Sequence, residues 1–210
     1  MQIRACWGLL LLLLVAAVPL SAPAFAQQPP ASDTPPAAAT PAPAAKKPHK
    51  HKPEAEPAAA GGVKPTLLGQ YGDWGAYTAS PGGKKICFAI AKPSSSETNP
   101  PNRPRNPAYL FVSSRPADKV SNEVSVIIGY PFKPSTDATL AVGSNSFALY
   151  TQQDGAWIKD AAEETHLVEA LRASQSAVVR GMSVKGTRST DIFSLKGLAQ
   201  ALDRTDKDCK

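Results

Sequence analysis

Reactive and metal-holding residues are scarce in this chain. Its 210 residues include only three cysteines, two methionines and three histidines. No His-Glu-x-x-His, no glycine-rich phosphate loop and no Cys-x-x-Cys occurs, which removes the usual supports for a zinc hydrolase, a nucleotide enzyme or a thiol oxidoreductase. Beyond residue 65 the one histidine is His166, and no serine stands in a nucleophile-elbow context, so a Ser-His-Asp arrangement has little to draw on. Glu163 and Glu164 are adjacent on a predicted helix and face different directions, so they do not form a working carboxylate pair. No catalytic residue, cofactor or metal site is expected. Long apolar runs are also missing. The longest, Trp7–Leu20, is about 14 residues, short of the ~20 that span a bilayer.

What is present divides the chain into three parts. Arg4, that apolar run, and Ala24-Phe25-Ala26 before Gln27 have the layout of a secretory signal peptide. Residues 1–26 are therefore read as a leader cleaved after Ala26, giving a periplasmic, secreted or outer-membrane-associated protein with no transmembrane segment. Residues 27–65 contain ten prolines, many alanines and no aromatic residue. Such a segment cannot bury enough apolar surface to offset the entropy of ordering, and reads as a disordered, basic Pro/Ala-rich linker. Within it, Lys46-Lys47-Pro48-His49-Lys50-His51-Lys52 is read as solvated positive charge. Two neighbouring histidines without a third ligand make a poor metal site. Residues 66–210 form the folded domain. The formal charge of +6 falls to +3 there, with 17 Lys+Arg against 14 Asp+Glu, too mild a balance for a nucleic-acid binder.

The domain opens with a hairpin pattern. Trp74-x-Ala76-x-Thr78 alternates into Ser80-Pro81-Gly82-Gly83, and Lys85–Ile90 alternates out, with Ile86, Phe88 and Ile90 on one face and Cys87 on the other. Pro93–Pro107 reads as a long, proline-stiffened loop holding Arg103 and Arg105 outward, either a rigid surface loop whose arginines pair with nearby carboxylates or a candidate partner-binding loop. Strand patterns follow at Tyr109–Ser113, Glu123–Ile128, Thr139–Val142, Ser146–Tyr150 and Ala156–Ile158. Asp160 and Glu163 make a capping box for a helix over Ala161–Ala173, whose inward stripe is Leu167, Val168 and Leu171. A last hairpin, Val178–Lys185 with Arg188–Leu195, precedes a short C-terminal helix near Ser194–Leu202. About eight short strands with regular turn signals predict a sandwich of two antiparallel sheets, with Trp74 and Trp157 read as core anchors in preference to a sugar-stacking site.

Loss of Cys6 with the leader leaves Cys87 and Cys209. An even count in an oxidising compartment predicts a disulfide between them. It would tie the chain's last residues to the second strand.

Gly72-Asp73-Trp74, then Lys85-Ile86-Cys87-Phe88, then Ser194-Leu195-Lys196-Gly197-Leu198-x-x-Ala201-Leu202 together resemble the invasion-associated locus B family of exported alphaproteobacterial proteins. The resemblance runs from about Leu67 to Cys209. It implies an immunoglobulin-like β-sandwich and a part in host interaction or envelope integrity. The chain departs from the pattern in having no cysteine at Tyr77-Thr78 or between Trp157 and Glu164. Two functional readings stand side by side. One is a non-enzymatic envelope module presenting loops and sheet surface to an envelope protein, a cell-wall glycan or a host surface. The other is a periplasmic enzyme or inhibitor acting on glycan or peptide.

Overall fold

In the computed structural model, residues 63–210 are described. The leader, most of the linker and the lysine-histidine cluster expected from the sequence lie outside the described residues.

Alternating side chains and short turns produce strands β1 (Thr66–Tyr71), β2 (Trp74–Ala79), β3 (Ile86–Ala91), β4 (Ser95–Asn99), β5 (Tyr109–Arg115) and β6 (Val120–Ile127). They continue with β7 (Ala138–Val142), β8 (Asn145–Gln152), β9 (Gly155–Ile158), β10 (Ser176–Met182) and β11 (Arg188–Ser194). Helix α1 (Glu164–Ala173) lies between β9 and β10, and α2 (Leu198–Asp208) follows β11. All pairings are antiparallel, and the eleven strands form one sheet in the order β1-β2-β3-β5-β6-β9-β8-β7-β10-β11-β4. This corrects the expected division into two sheets of an immunoglobulin-like sandwich. The strand patterns were sound, but hydrogen bonding runs without a break from β1 to β4.

A twisted sheet of this width does not stay open; it curls to bury one face. The pairing register puts Trp74, Ala76, Ala89, Val112, Val124, Ala156, Leu149, Leu140, Val179 and Phe193 on the same side of successive strands. All of them belong to one buried cluster, joined by Leu167, Val168 and Leu171 of α1 and Leu198, Ala201 and Leu202 of α2. The sheet thus wraps a single core, with both helices on its inner side. The Trp74 indole N–H donates to the Ser194 carbonyl at 2.9 Å, linking β2 near one end of the sheet to β11 near the other.

The segments that carry the family resemblance meet at this seam. Asp73 N–H donates to the Lys196 carbonyl at 3.3 Å. Gly72 (φ 58°) and Gly197 (φ 96°) let the two backbones cross; a Cβ on Gly197 would lie 1.8 Å from the Tyr71 carbonyl oxygen. Only glycine tolerates both that conformation and that approach. Cys87 and Cys209 form a disulfide with Cα atoms 6.0 Å apart, pinning the end of α2 against β3. Closing a loop of more than 100 residues removes about 4.7 kcal/mol of denatured-state entropy in the simple chain model.

Three local readings change with the structure. The stretch read as a continuous loop after Pro93 contains β4, an outermost strand paired with β11. Its polar sequence, Ser-Ser-Glu-Thr-Asn, carries no apolar alternation because it lies at a sheet edge. The first turn of the helix after Asp160 is a tighter three-residue turn, which Asp160 caps by accepting from Ala162 N–H at 3.0 Å; α1 proper starts at Glu164 with no side-chain cap. The C-terminal helix starts later and runs longer than expected, because Gly197 occupies the crossing and cannot lie inside it.

Candidate functional site

The two arginines of the 100–105 segment have opposite environments. Arg105 turns inward, with only 11% of its side chain exposed, against Asp191, which is fully buried. Its guanidinium makes a two-pronged ion pair with that carboxylate, Nη1 donating to Asp191 Oδ2 at 2.8 Å and Nη2 to Oδ1. Nη1 also donates to the Ile128 carbonyl at 2.9 Å and Nη2 to Ser96 Oγ at 3.1 Å, while Ser96 Oγ donates to Asp191 Oδ1 at 2.7 Å. Tyr130 lies beneath, its ring centre 5.9 Å from the guanidinium carbon and its hydroxyl 2.7 Å from Ser189 Oγ. Burial pushes the Tyr130 phenol above its ordinary pKa, while Ser189 and Arg105 pull the other way. No buried side-chain polar atom here lacks a partner, so the cluster fastens β4 and the following loop to the sheet's inner face. Arg105 is not held outward for a partner; it pairs with a nearby carboxylate, the other reading of this loop, because the buried Asp191 requires a bound cation. Asp191 was missed in the sequence, although it stands at an inward position between Ser189 and Phe193.

Arg103 is exposed. Its backbone N–H donates to Thr98 Oγ1 at 3.1 Å, so the loop is held while the guanidinium extends from it. Ser96, Glu97, Thr98, Pro101, Asn102, Arg103 and Arg105 line an open cleft of about 390 Å³. The cleft runs beside β4, whose outer edge has no strand partner among the described residues. A second open cleft, of about 380 Å³, lies beside Cys209 and the β5–β6 turn.

The residues set aside for catalysis do structural work. His166 is exposed and packs edge-on against Phe147, ring centres 5.5 Å apart. Glu164 accepts the Val124 backbone N–H at 2.7 Å, fastening α1 to β6. Burial raises its carboxyl pKa, and that N–H opposes the rise. Among the described residues, no three His, Cys, Asp or Glu side chains are grouped to hold a metal. No described helix is long and apolar enough to cross a membrane.

The outer face of the sheet carries a row of aromatic side chains that the sequence does not place together. Opposite Trp74 and Ala89, the register turns Tyr77, Phe88, Ile90, Tyr109, Phe111, Ile127, Trp157 and Tyr150 outward. Phe88 and Ile90 are buried yet lie outside the core cluster, covered by neighbouring side chains. Tyr77 and Phe88 stack at 5.5 Å and 12°, and Tyr150 and Trp157 at 5.6 Å and 23°. Glycines bed these rings. A Cβ on Gly155 would lie 2.4 Å from the Trp157 indole, and one on Gly75 would lie 2.6 Å from the Tyr77 ring. The repeated Gly-x-aromatic spacing, Gly75-Ala76-Tyr77 and Gly155-Ala156-Trp157, was the available signal. Trp157 is thus an outer-face residue rather than a core anchor; the expectation failed because a tryptophan looks the same in sequence on either face.

These features define a class: a mainly antiparallel β domain, sealed by a disulfide, whose exposed elaborations are an edge-strand cleft and an aromatic sheet face. The chain belongs to the family of the Invasion associated locus B (IalB) protein, whose model matches residues 74–206. That span runs from Trp74 at the seam to Asp206 in α2. No curated protein and no solved structure matches the chain.

Proposed function

We propose that this is an exported, non-enzymatic accessory protein of the cell envelope that binds an extended peptide of an envelope protein along β4. In this reading the leader is removed after Ala26, residues 27–65 act as a spacer, and the domain works in the periplasm or at the outer surface. A contribution to envelope integrity or to host contact would run through that bound partner.

The observation that carries the reading is the cleft beside β4. An outermost strand offers a row of backbone donors and acceptors to an incoming strand, and adjoining pockets select its side chains. Here the adjoining wall is the 100–105 loop, held from below by Arg105 and presenting Arg103. An acidic side chain or a terminal carboxylate on the partner would complement that free cation.

The test places a photo-crosslinking residue at Asn102 in intact cells and identifies what is captured. Arg103→Glu should abolish the captured band while leaving the protein folded, since no described residue depends on that side chain. A band of unchanged intensity in Arg103→Glu would overturn the reading.

A further inference from the structure

Beyond that edge, the outer face of β5, β6, β9 and β8 carries a row of aromatic side chains broken by one small residue, which outlines a shallow trough. Phe111, Ser125 and Trp157 are directly opposite one another on successive strands, and Tyr150 continues the row beyond Trp157. Two strand spacings separate Phe111 from Trp157, about 10 Å of backbone. In that row the residue between them is Ser125, with Glu123 and Ile127 on either side of it along β6. Aromatic rings therefore form the walls and a polar group the floor.

The walls are built and open. Gly155 lets the indole lie against the sheet, because any side chain there would lift it. Tyr150 is 46% exposed although it stacks on the indole. Neither the Trp157 indole N–H nor the Tyr150 hydroxyl has a hydrogen-bond partner among the described residues. The contrast with Trp74, whose N–H is satisfied by Ser194, is direct. Tyr109, by comparison, already has Lys92 over its ring at 5.9 Å, so the open stretch is the one between Phe111 and Trp157.

The rim sets the charge of the occupant. At one end Arg115 and Glu123 form a two-pronged pair at 3.0 and 2.7 Å, and this bond raises the guanidinium pKa further. Along the same flank, Lys159, which the antiparallel register sets beside Glu123, donates Nζ to Asp137 Oδ2 at 2.6 Å. Each charge is cancelled by its neighbour, so the rim complements an uncharged ligand while keeping hydrogen-bonding atoms at its edges. A ligand with apolar faces, a hydroxyl rim and no net charge fits walls, floor and rim together.

We infer that this trough binds a neutral glycan, one pyranose ring lying between Phe111 and the Trp157–Tyr150 pair with its hydroxyls reaching Ser125 and the indole N–H. Ring C–H groups meet the negative faces of the aromatic side chains, and the indole and phenol supply amphipathic contact. The surface is separate from the β4 cleft, so the two bindings stand or fall independently.

The test titrates the leader-less protein with an N-acetylglucosamine tetramer and, separately, a glucose tetramer, following tryptophan fluorescence. Trp74 is fully buried, so a saturable change with either sugar would report Trp157. Trp157→Ala should weaken binding about tenfold or more, and Tyr150→Ala by a smaller factor. Arg103→Glu should leave sugar affinity unchanged. Two results would overturn the inference. One is no saturable change with either tetramer. The other is tighter binding of the proline-rich peptide of residues 35–45, which would make the trough a polyproline site instead.

Discussion

Two tryptophans sit on opposite faces of the same sheet and do opposite things. Trp74 is fully buried, its N–H bound to Ser194, and it closes the curl of the sheet. Trp157 lies half-buried on the outer face, bedded on Gly155 and stacked on an exposed tyrosine. The difference teaches that the inner face of this domain is used for closure, while the outer face leaves aromatic rings partly open to solvent. The same division separates Arg105, locked to a buried carboxylate, from Arg103, two residues away and exposed.

The largest expected effect tests the tryptophans. Trp74→Ala should cost about 4 kcal/mol, from the cavity and from the orphaned Ser194 carbonyl. Trp157→Ala should cost about 1 kcal/mol, since much of its surface is already wet. Chemical denaturation of both variants decides it; equal losses would break the distinction between the faces.

The arginines come next. Arg105→Ala leaves Asp191 buried without its cation and should cost about 3 kcal/mol, whereas Arg103→Ala should stay within about 0.5 kcal/mol. Matching midpoints in urea for the two variants would contradict the assignment of Arg105 as an anchor.

The smallest effect is a pH dependence beside that anchor. Burial raises the folded-state pKa of Tyr130, so the neutral phenol is the form the fold favours. Its contribution is complete below the ordinary phenol value of about 10 and is lost as pH rises from there through the raised value. Melting temperatures measured from about pH 9 upward should fall less steeply in Tyr130→Phe than in the parent. Parallel slopes would remove Tyr130 as the source.

Much of this architecture could be read from residue order. Alternation marked most strands, the stripe Leu167-Val168-Leu171 marked the inward side of α1, and Cys87 and Cys209 were the pair left for a disulfide once the leader was set aside. β4 was not legible, because an edge strand exposed on both faces has no apolar period to show. Nor was the inward side of β3. Phe88 and Ile90 are the bulkier residues, yet Cys87, Ala89 and Ala91 face the core, where α2 packs close and leaves room only for small side chains.

Local chemistry by itself determined the antiparallel β character, the two helices and the glycine positions, since each depends on periodicity and backbone freedom within a few residues. Tertiary structure alone decided that the strands form one sheet and which tryptophan is sealed in. It also decided which arginine is bound. Those outcomes depend on pairings between residues far apart in the chain, such as Arg105 with Asp191 and Trp74 with Ser194. A side chain's type fixes what it can bond to, but the fold fixes what lies within reach.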